Sequence, residues 1–140
     1  MTQSVTDKKY IFPKREHLCG EIRINKLFVE GRAFIAYPLR VVYIISNEKS
    51  DVAVNVMIAV PKKRFKRAVK RNRLKRLMRE SYRLNKSILT EKCIDKNINI
   101  QIAFNYIADL ELDFKTIETK MKIALTKISD LVENQTNENK

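Results

Sequence analysis

Thirteen lysines and arginines stand between residues 62 and 86, against the single carboxylate of Glu80, so this segment holds a net +12 of the chain's formal +13. They are Lys62, Lys63, Arg64, Lys66, Arg67, Lys70, Arg71, Arg73, Lys75, Arg76, Arg79, Arg83 and Lys86. Charge spread thinly over a surface keeps a protein in solution, whereas charge gathered in one segment binds a polyanion. The spacing sharpens this reading. At 100° per residue, Asn72, Lys75, Arg76, Arg79, Arg83 and Lys86 fall within an arc of roughly 100°, with Leu74, Leu77, Met78, Ser81, Leu84 and Ile88 opposite. One face packs and the other meets a partner. Stacked cations on a rigid helix match a row of phosphates. Arginine adds a planar fork that can grip one phosphate with two hydrogen bonds or lie on a base, and lysine adds charge alone. A solvated helix laced by ion pairs would need interleaved acids, and Glu80 stands alone. A membrane-surface helix would have to spend its apolar face on lipid, yet that face is needed to cover a core. Charge by itself does not separate DNA from RNA, because backbone contacts carry no sequence information.

Hydrolytic chemistry finds little support in the remaining residues. His17 is the one histidine, with no second histidine or neighbouring cysteine to make a zinc site or a triad. Cys19 and Cys93 are far apart at no metal spacing and are read as reduced, buried thiols. Asp109, Glu111 and Asp113 alternate, but as a turn into a helix capped by Asp113 rather than as a metal cluster. No metal held by protein ligands alone is expected, and a self-sufficient nuclease would need carboxylates or a histidine gathered together.

The elements that must position the cations are legible in outline. The chain has 140 residues, 44% of them hydrophobic, with 2 glycines and 3 prolines, which fits one globular domain and excludes collagen-like and low-complexity classes. No apolar run approaches the roughly 18 residues of a membrane span, and residues 1–10 lack the apolar core of a secretory signal, so a cytoplasmic protein is expected. Polar tails are expected at residues 1–9 and 133–140, with a single domain over 10–132. A first helix should follow Pro13 and end near Glu30, with Gly31 as a left-handed cap. Residues 34–45 read as a strand with an edge, bulge or break at Pro38, and residues 52–60 as a second strand. Residues 46–51 join the two at hairpin length. A long helix over 67–89, a strictly alternating strand over 97–106 and a C-terminal amphipathic helix after Asp113 complete the order. Helices packed on a mostly antiparallel sheet, an α+β sandwich, follow from that order.

The basic segment is also specific. Val60-Pro61-Lys62-Lys63, a gap of four, then Ala68-Val69-Lys70-Arg71-Asn72-Arg73-Leu74-Lys75-Arg76-Leu77-Met78-Arg79-Glu80-Ser81-Tyr82 resembles the signature of the bacterial ribonuclease P protein subunit. The resemblance extends over residues 10–132. It implies a small sandwich of about four strands and three helices with a left-handed βαβ crossover, a handedness no pattern argument supplies. It implies partnership with the ribonuclease P catalytic RNA and with precursor tRNA, whose 5′ leader the complex removes by hydrolysing one phosphodiester bond. Catalysis and the Mg²⁺ ions would belong mainly to the RNA, with no small-molecule cofactor and no membrane. Carried over by position, Lys62, Lys63, Arg64, Lys66, Arg67, Ala68, Arg71, Asn72, Arg73, Lys75, Arg76, Arg79 and Arg83 would face the catalytic RNA. Phe28, Tyr43 and Lys63 would meet the single-stranded leader, where bases stack on rings and cations follow phosphates. Ile24 stands where many members of that family have another aromatic residue. The alternative reading is a noncatalytic ribosomal or RNA-chaperone protein that uses the same helix.

Overall fold

Strict alternation of side chains near the C-terminal third builds the middle of a four-stranded sheet. A computed structural model describes residues 12–46 and 52–138, with side chains to residue 134. A 3-10 turn at Lys14–Glu16 leads to α1 (Glu21–Glu30), β1 (Arg32–Ala36), β2 (Leu39–Ser46) and β3 (Val54–Ala59). Then follow α2 (Ala68–Asn85), α3 (Ser87–Lys96), β4 (Asn99–Tyr106) and α4 (Phe114–Glu138). The strands lie in the order β1-β2-β4-β3, with β4 antiparallel to β2 and parallel to β3. Along β4, Ile100, Ile102, Phe104 and Tyr106 are fully buried under α2, α3 and α4, together with Val41 and Tyr43 of β2 and Val54 and Val56 of β3. Leu74, Met78 and Tyr82 of α2, Cys93 of α3 and Ile117, Met121, Leu125 and Ile128 of α4 close that core. The other face has a smaller cover, in which Leu18, just before α1, and Leu27 of α1 pack on Val42 and Ala103. Among the described residues no helix is long and apolar enough to cross a membrane.

The α+β class and the four strands match expectation, and the structure redraws several boundaries. Residues 32–46 are two strands, because the chain reverses at a cis Tyr37–Pro38 bond and β1 pairs back on β2. The strand pair expected to form a hairpin across residues 46–51 is not one: β4 lies between β2 and β3. Its most buried residues, with Ala103 inward on one face and isoleucines on the other, suit β4 to the central place. A parallel β3–β4 neighbourhood needs a long crossover, which α2 and α3 supply. Residues 47–51 and the expected tail at 1–9 lie outside the described residues. The long helix over 67–89 divides at Lys86, giving four helices where three were expected among the described residues. The last helix continues to Glu138, past the domain end expected at 132, and Asp113 caps it by accepting the Thr116 N–H at 3.0 Å.

The N-terminal stretch also differs, since α1 begins only at Glu21. Before it, the chain runs beside the β3 edge, where Leu18 N–H donates to Val56 O at 2.8 Å. Gly20 takes φ +96°, a backbone state that favours glycine. Gly31 is no left-handed cap, with φ −73°. It is glycine for space, because a Cβ there would collide with the Leu27 carbonyl oxygen and crowd Val42 Cγ1 at 3.1 Å. Cys19 is exposed, not buried, because it sits in the turn entering α1. Cys93 is buried, which pushes its thiol up to about 12.

Lys86 was expected on the outer cationic face, but the chain turns there and carries its side chain inward. Its Nζ donates to Glu16 Oε1 at 2.7 Å, with both side chains almost wholly buried. Beside this pair the Phe12 ring packs on His17 at 4.2 Å and on Tyr82 at 5.1 Å. The pair and the rings tie the N-terminal stretch to the junction of α2 and α3. Breaking a buried pair strands a charge, whereas replacing both members by apolar groups of similar size does not. Lys86→Met should therefore destabilise the protein by about 3–5 kcal/mol in urea denaturation, and adding Glu16→Leu should recover much of the loss.

Candidate nucleic-acid interface

The α2 helix stands because residues four apart on one side, Leu74, Met78 and Tyr82, are fully buried, and because no glycine or proline interrupts it. The opposite side then faces solvent by geometry alone. Ala68, Val69, Lys70, Asn72, Arg73, Arg76 and Arg79 are exposed, and Lys75 is half-buried. Among the described residues, Lys70, Arg73, Lys75, Arg76 and Arg79 make no ion pair with any carboxylate. Arg83 is engaged: its Nε donates to Glu80 Oε2 at 3.0 Å, and this bond holds the Glu80 carboxyl below its ordinary range.

The loop at residues 61–67 leaves the end of edge strand β3 and delivers five more cations to the start of α2. It is fixed from inside by Phe65, which is buried with its ring 5.8 Å from Tyr106. Backbone bonds from Arg64 N and Phe65 N to Pro61 O curl the chain. With the loop curled this way, Lys62, Lys63, Lys66 and Arg67 point to solvent. Arg67 at the cap position makes no side-chain cap. Arg71 does related work from within the helix, donating from Nη1 to the Phe65 and Lys66 carbonyls, each at 2.8 Å. Arg64 is half-buried and paired, its Nη1 lying 2.7 Å from Asp109 Oδ1. The sequence-predicted cations thus fall into two groups. Among the described residues, Lys62, Lys63, Lys66, Arg67, Arg73, Lys75, Arg76 and Arg79 have no carboxylate partner, whereas Arg64, Arg71 and Arg83 hold the structure around them.

The aromatic residues expected at the leader separate. Phe28 is 43% exposed on the flank of α1. Tyr43 is 7% exposed, on the sheet face that the helices cover, and its ring packs edge-on to Phe34 at 6.0 Å. No face of Tyr43 is open to a base. The face of the sheet beside α1 instead carries the alternate residues of each strand. Registered across it is a row of Ile35, Arg40, Asn105 and Ala59, and a second row of Ile44, Gln101 and Asn55. The first row ends where β3 runs into Pro61, Lys62 and Lys63, so it leads directly to the basic loop. Sequence reading missed Arg40, Gln101 and Asn105. For Gln101 and Asn105 the available signal was a polar place in the alternating run of β4, for Arg40 a lone charge in an apolar run, and what was lacking was knowledge of which face the helices would cover. Among the described residues no three His, Cys, Asp or Glu side chains gather as metal ligands.

This placement separates stacking from packing. Tyr43→Ala should cost about 3–5 kcal/mol of stability in urea denaturation, the range for losing a buried ring, and Phe28→Ala should cost much less.

The geometry agrees with what the chain is similar to. The family model described as Ribonuclease P matches residues 12–129. The ribonuclease P protein component of Porphyromonas gingivalis is 46% identical over 116 residues, covering 83% of this chain and 85% of that protein. That of Chlorobium phaeobacteroides is 43% identical over 102 residues, covering 67% and 70%. Among solved structures, the RNase P protein from Thermotoga maritima superposes with a TM-score of 0.64 at 24% identity, over 81% of this chain and 97% of that one. The Staphylococcus aureus RNase P protein gives 0.59 at 20% identity, over 81% and 94%. These two structures share the fold. With the basic signature of α2 and its loop set on that fold, and with a match over nearly all the described residues, the chain belongs to the ribonuclease P protein family.

Proposed function

We propose that this chain is the protein subunit of a cytoplasmic ribonuclease P, binding the catalytic RNA and the 5′ leader of precursor tRNA and so assisting endonucleolytic removal of the leader. The observation that carries the reading is the unpaired cation face of α2, continued through the loop at 61–67, in a member of this family. On this reading Lys62, Lys63, Lys66, Arg67, Arg73, Lys75, Arg76 and Arg79 meet phosphates of the catalytic RNA. Six to ten such contacts would make affinity fall about 10³–10⁵-fold between 50 and 200 mM salt. Asn72, exposed between Arg71 and Arg73, adds an amide that both donates and accepts where its neighbours only donate.

The leader is assigned to the sheet face beside α1. Phe28 offers an accessible ring, Arg40 and Asn105 offer a charge and an amide, and Lys63 continues the path into the basic loop. Tyr43 contributes from beneath by packing. Hydrolysis and the Mg²⁺ that serves it are assigned to the RNA. The protein's part is to neutralise phosphates and hold the substrate in register, which lowers the magnesium needed.

The test is reconstitution. The purified protein, the ribonuclease P RNA of the same genome and a precursor tRNA are combined at low magnesium, and each is then omitted in turn. Cleavage at the mature 5′ end should need both RNA and protein. Cleavage without the RNA, or RNA binding that never promotes cleavage, would overturn the assignment, the latter in favour of a noncatalytic RNA-binding protein. In the same system Phe28→Ala should weaken precursor binding by about 1–3 kcal/mol while leaving mature tRNA binding nearly unchanged.

A further inference from the structure

Two loops meet beside the cation-bearing start of α2, and an acid joins them. Asp109, with its side chain 81% exposed, receives Arg64 Nη1 at 2.7 Å, while the Arg64 side chain is 28% exposed. Asp109 is itself held in place. The buried Tyr106 hydroxyl donates to Leu110 O at 2.7 Å and accepts from Leu112 N at 3.0 Å, closing the segment that carries Asp109 into a fixed turn. The Tyr106 ring also packs on Phe65, 5.8 Å away. From the other side, Arg71 grips the Phe65 and Lys66 carbonyls. Residues 64–66 are therefore clamped between Asp109 and Arg71, with Phe65 as the buried pin.

Electrostatics alone makes Asp109 a defect. A solvated carboxylate paired to the basic loop at 61–67 repels RNA, and its removal should tighten binding. We propose instead that Asp109 is a positioning residue, which with the Tyr106 hydroxyl holds the loop at 61–67 in the shape that presents its cations to the catalytic RNA. The inference rests on the catalytic-RNA reading given above and deepens it. A loop ordered before binding loses less conformational freedom on binding, so its cations contribute more to affinity. Because the carboxylate lies at the surface, the Arg64 pair adds little to folding, and its effect falls on the loop. Charge removal and loss of positioning thus predict opposite signs.

Full-length parent, Asp109→Asn, Asp109→Glu and Tyr106→Phe are titrated with the ribonuclease P RNA transcript at several salt concentrations, alongside thermal melts. Asp109→Asn should melt like the parent yet bind about 3- to 10-fold more weakly, with a shallower slope of log K against log salt as loop cations lose phosphates. Asp109→Glu, which keeps a carboxylate, should restore most of the affinity. Tyr106→Phe, which keeps the ring, should weaken binding in the same direction. Asp109→Asn binding as tightly as the parent, or more tightly, overturns the positioning role alone. A parent that does not bind the RNA overturns the functional reading and this inference with it.

Discussion

Like charge packed into one short segment is the constraint on which the rest of this structure depends. Lys75, Arg79 and Arg83 follow one another at four-residue steps, and each such pair of like charges weakens a helix by about 0.2–0.5 kcal/mol. The opposite face decides the outcome. Leu74, Met78 and Tyr82 are fully buried against the sheet and α4, and burying one large apolar side chain is worth about 1.5–3 kcal/mol. Packing outweighs repulsion several times over, so α2 keeps its shape with the cations aligned. The remaining repulsion is a store of affinity for an anion that can neutralise the row.

This constraint explains where the few local partners lie. Glu80 relieves Arg83 near the end of the row, and Asp109 engages Arg64 at its beginning. Arg71 is satisfied by carbonyls, and among the described residues no carboxylate pairs with the exposed cations between. Lys86, the last cation of the segment, turns inward and binds the N-terminal stretch through Glu16. The segment therefore anchors itself at both ends and stays open in the middle, a distribution that suits a contact surface for an extended polyanion.

Much of this could be read locally. Strict alternation marked β4, a four-residue apolar step marked the buried face of α2, and Asp113 announced the start of α4; each depends on residues within a turn or two of one another. What escaped depends on distant partners. The insertion of β4 between β2 and β3 is invisible to a connection of hairpin length, since strand adjacency is decided by which strand buries most surface. Lys86 looked like one more outward cation because its partner, Glu16, is seventy residues away in sequence. Tyr43 shared one predicted strand with Arg40 and Val42, and only the helices above it settled that its ring is core and that Arg40 faces the open side. Gly31 is explained by the nearness of Leu27 and Tyr43 carbonyls, not by its own backbone angle. The family signature was legible because it lies within one helix and its leading loop.

The central claim is that the open face of α2 meets the phosphates of the catalytic RNA. The most direct measurement is the salt dependence of RNA affinity for the parent and for a variant carrying Arg73→Ala, Arg76→Ala and Arg79→Ala, compared once both are shown to melt cooperatively. Each phosphate contact contributes about 0.7–0.9 to the slope of log K against log salt. The account predicts a slope shallower by about 2–3 in the variant. An unchanged slope would contradict it, placing the RNA on another surface of the protein.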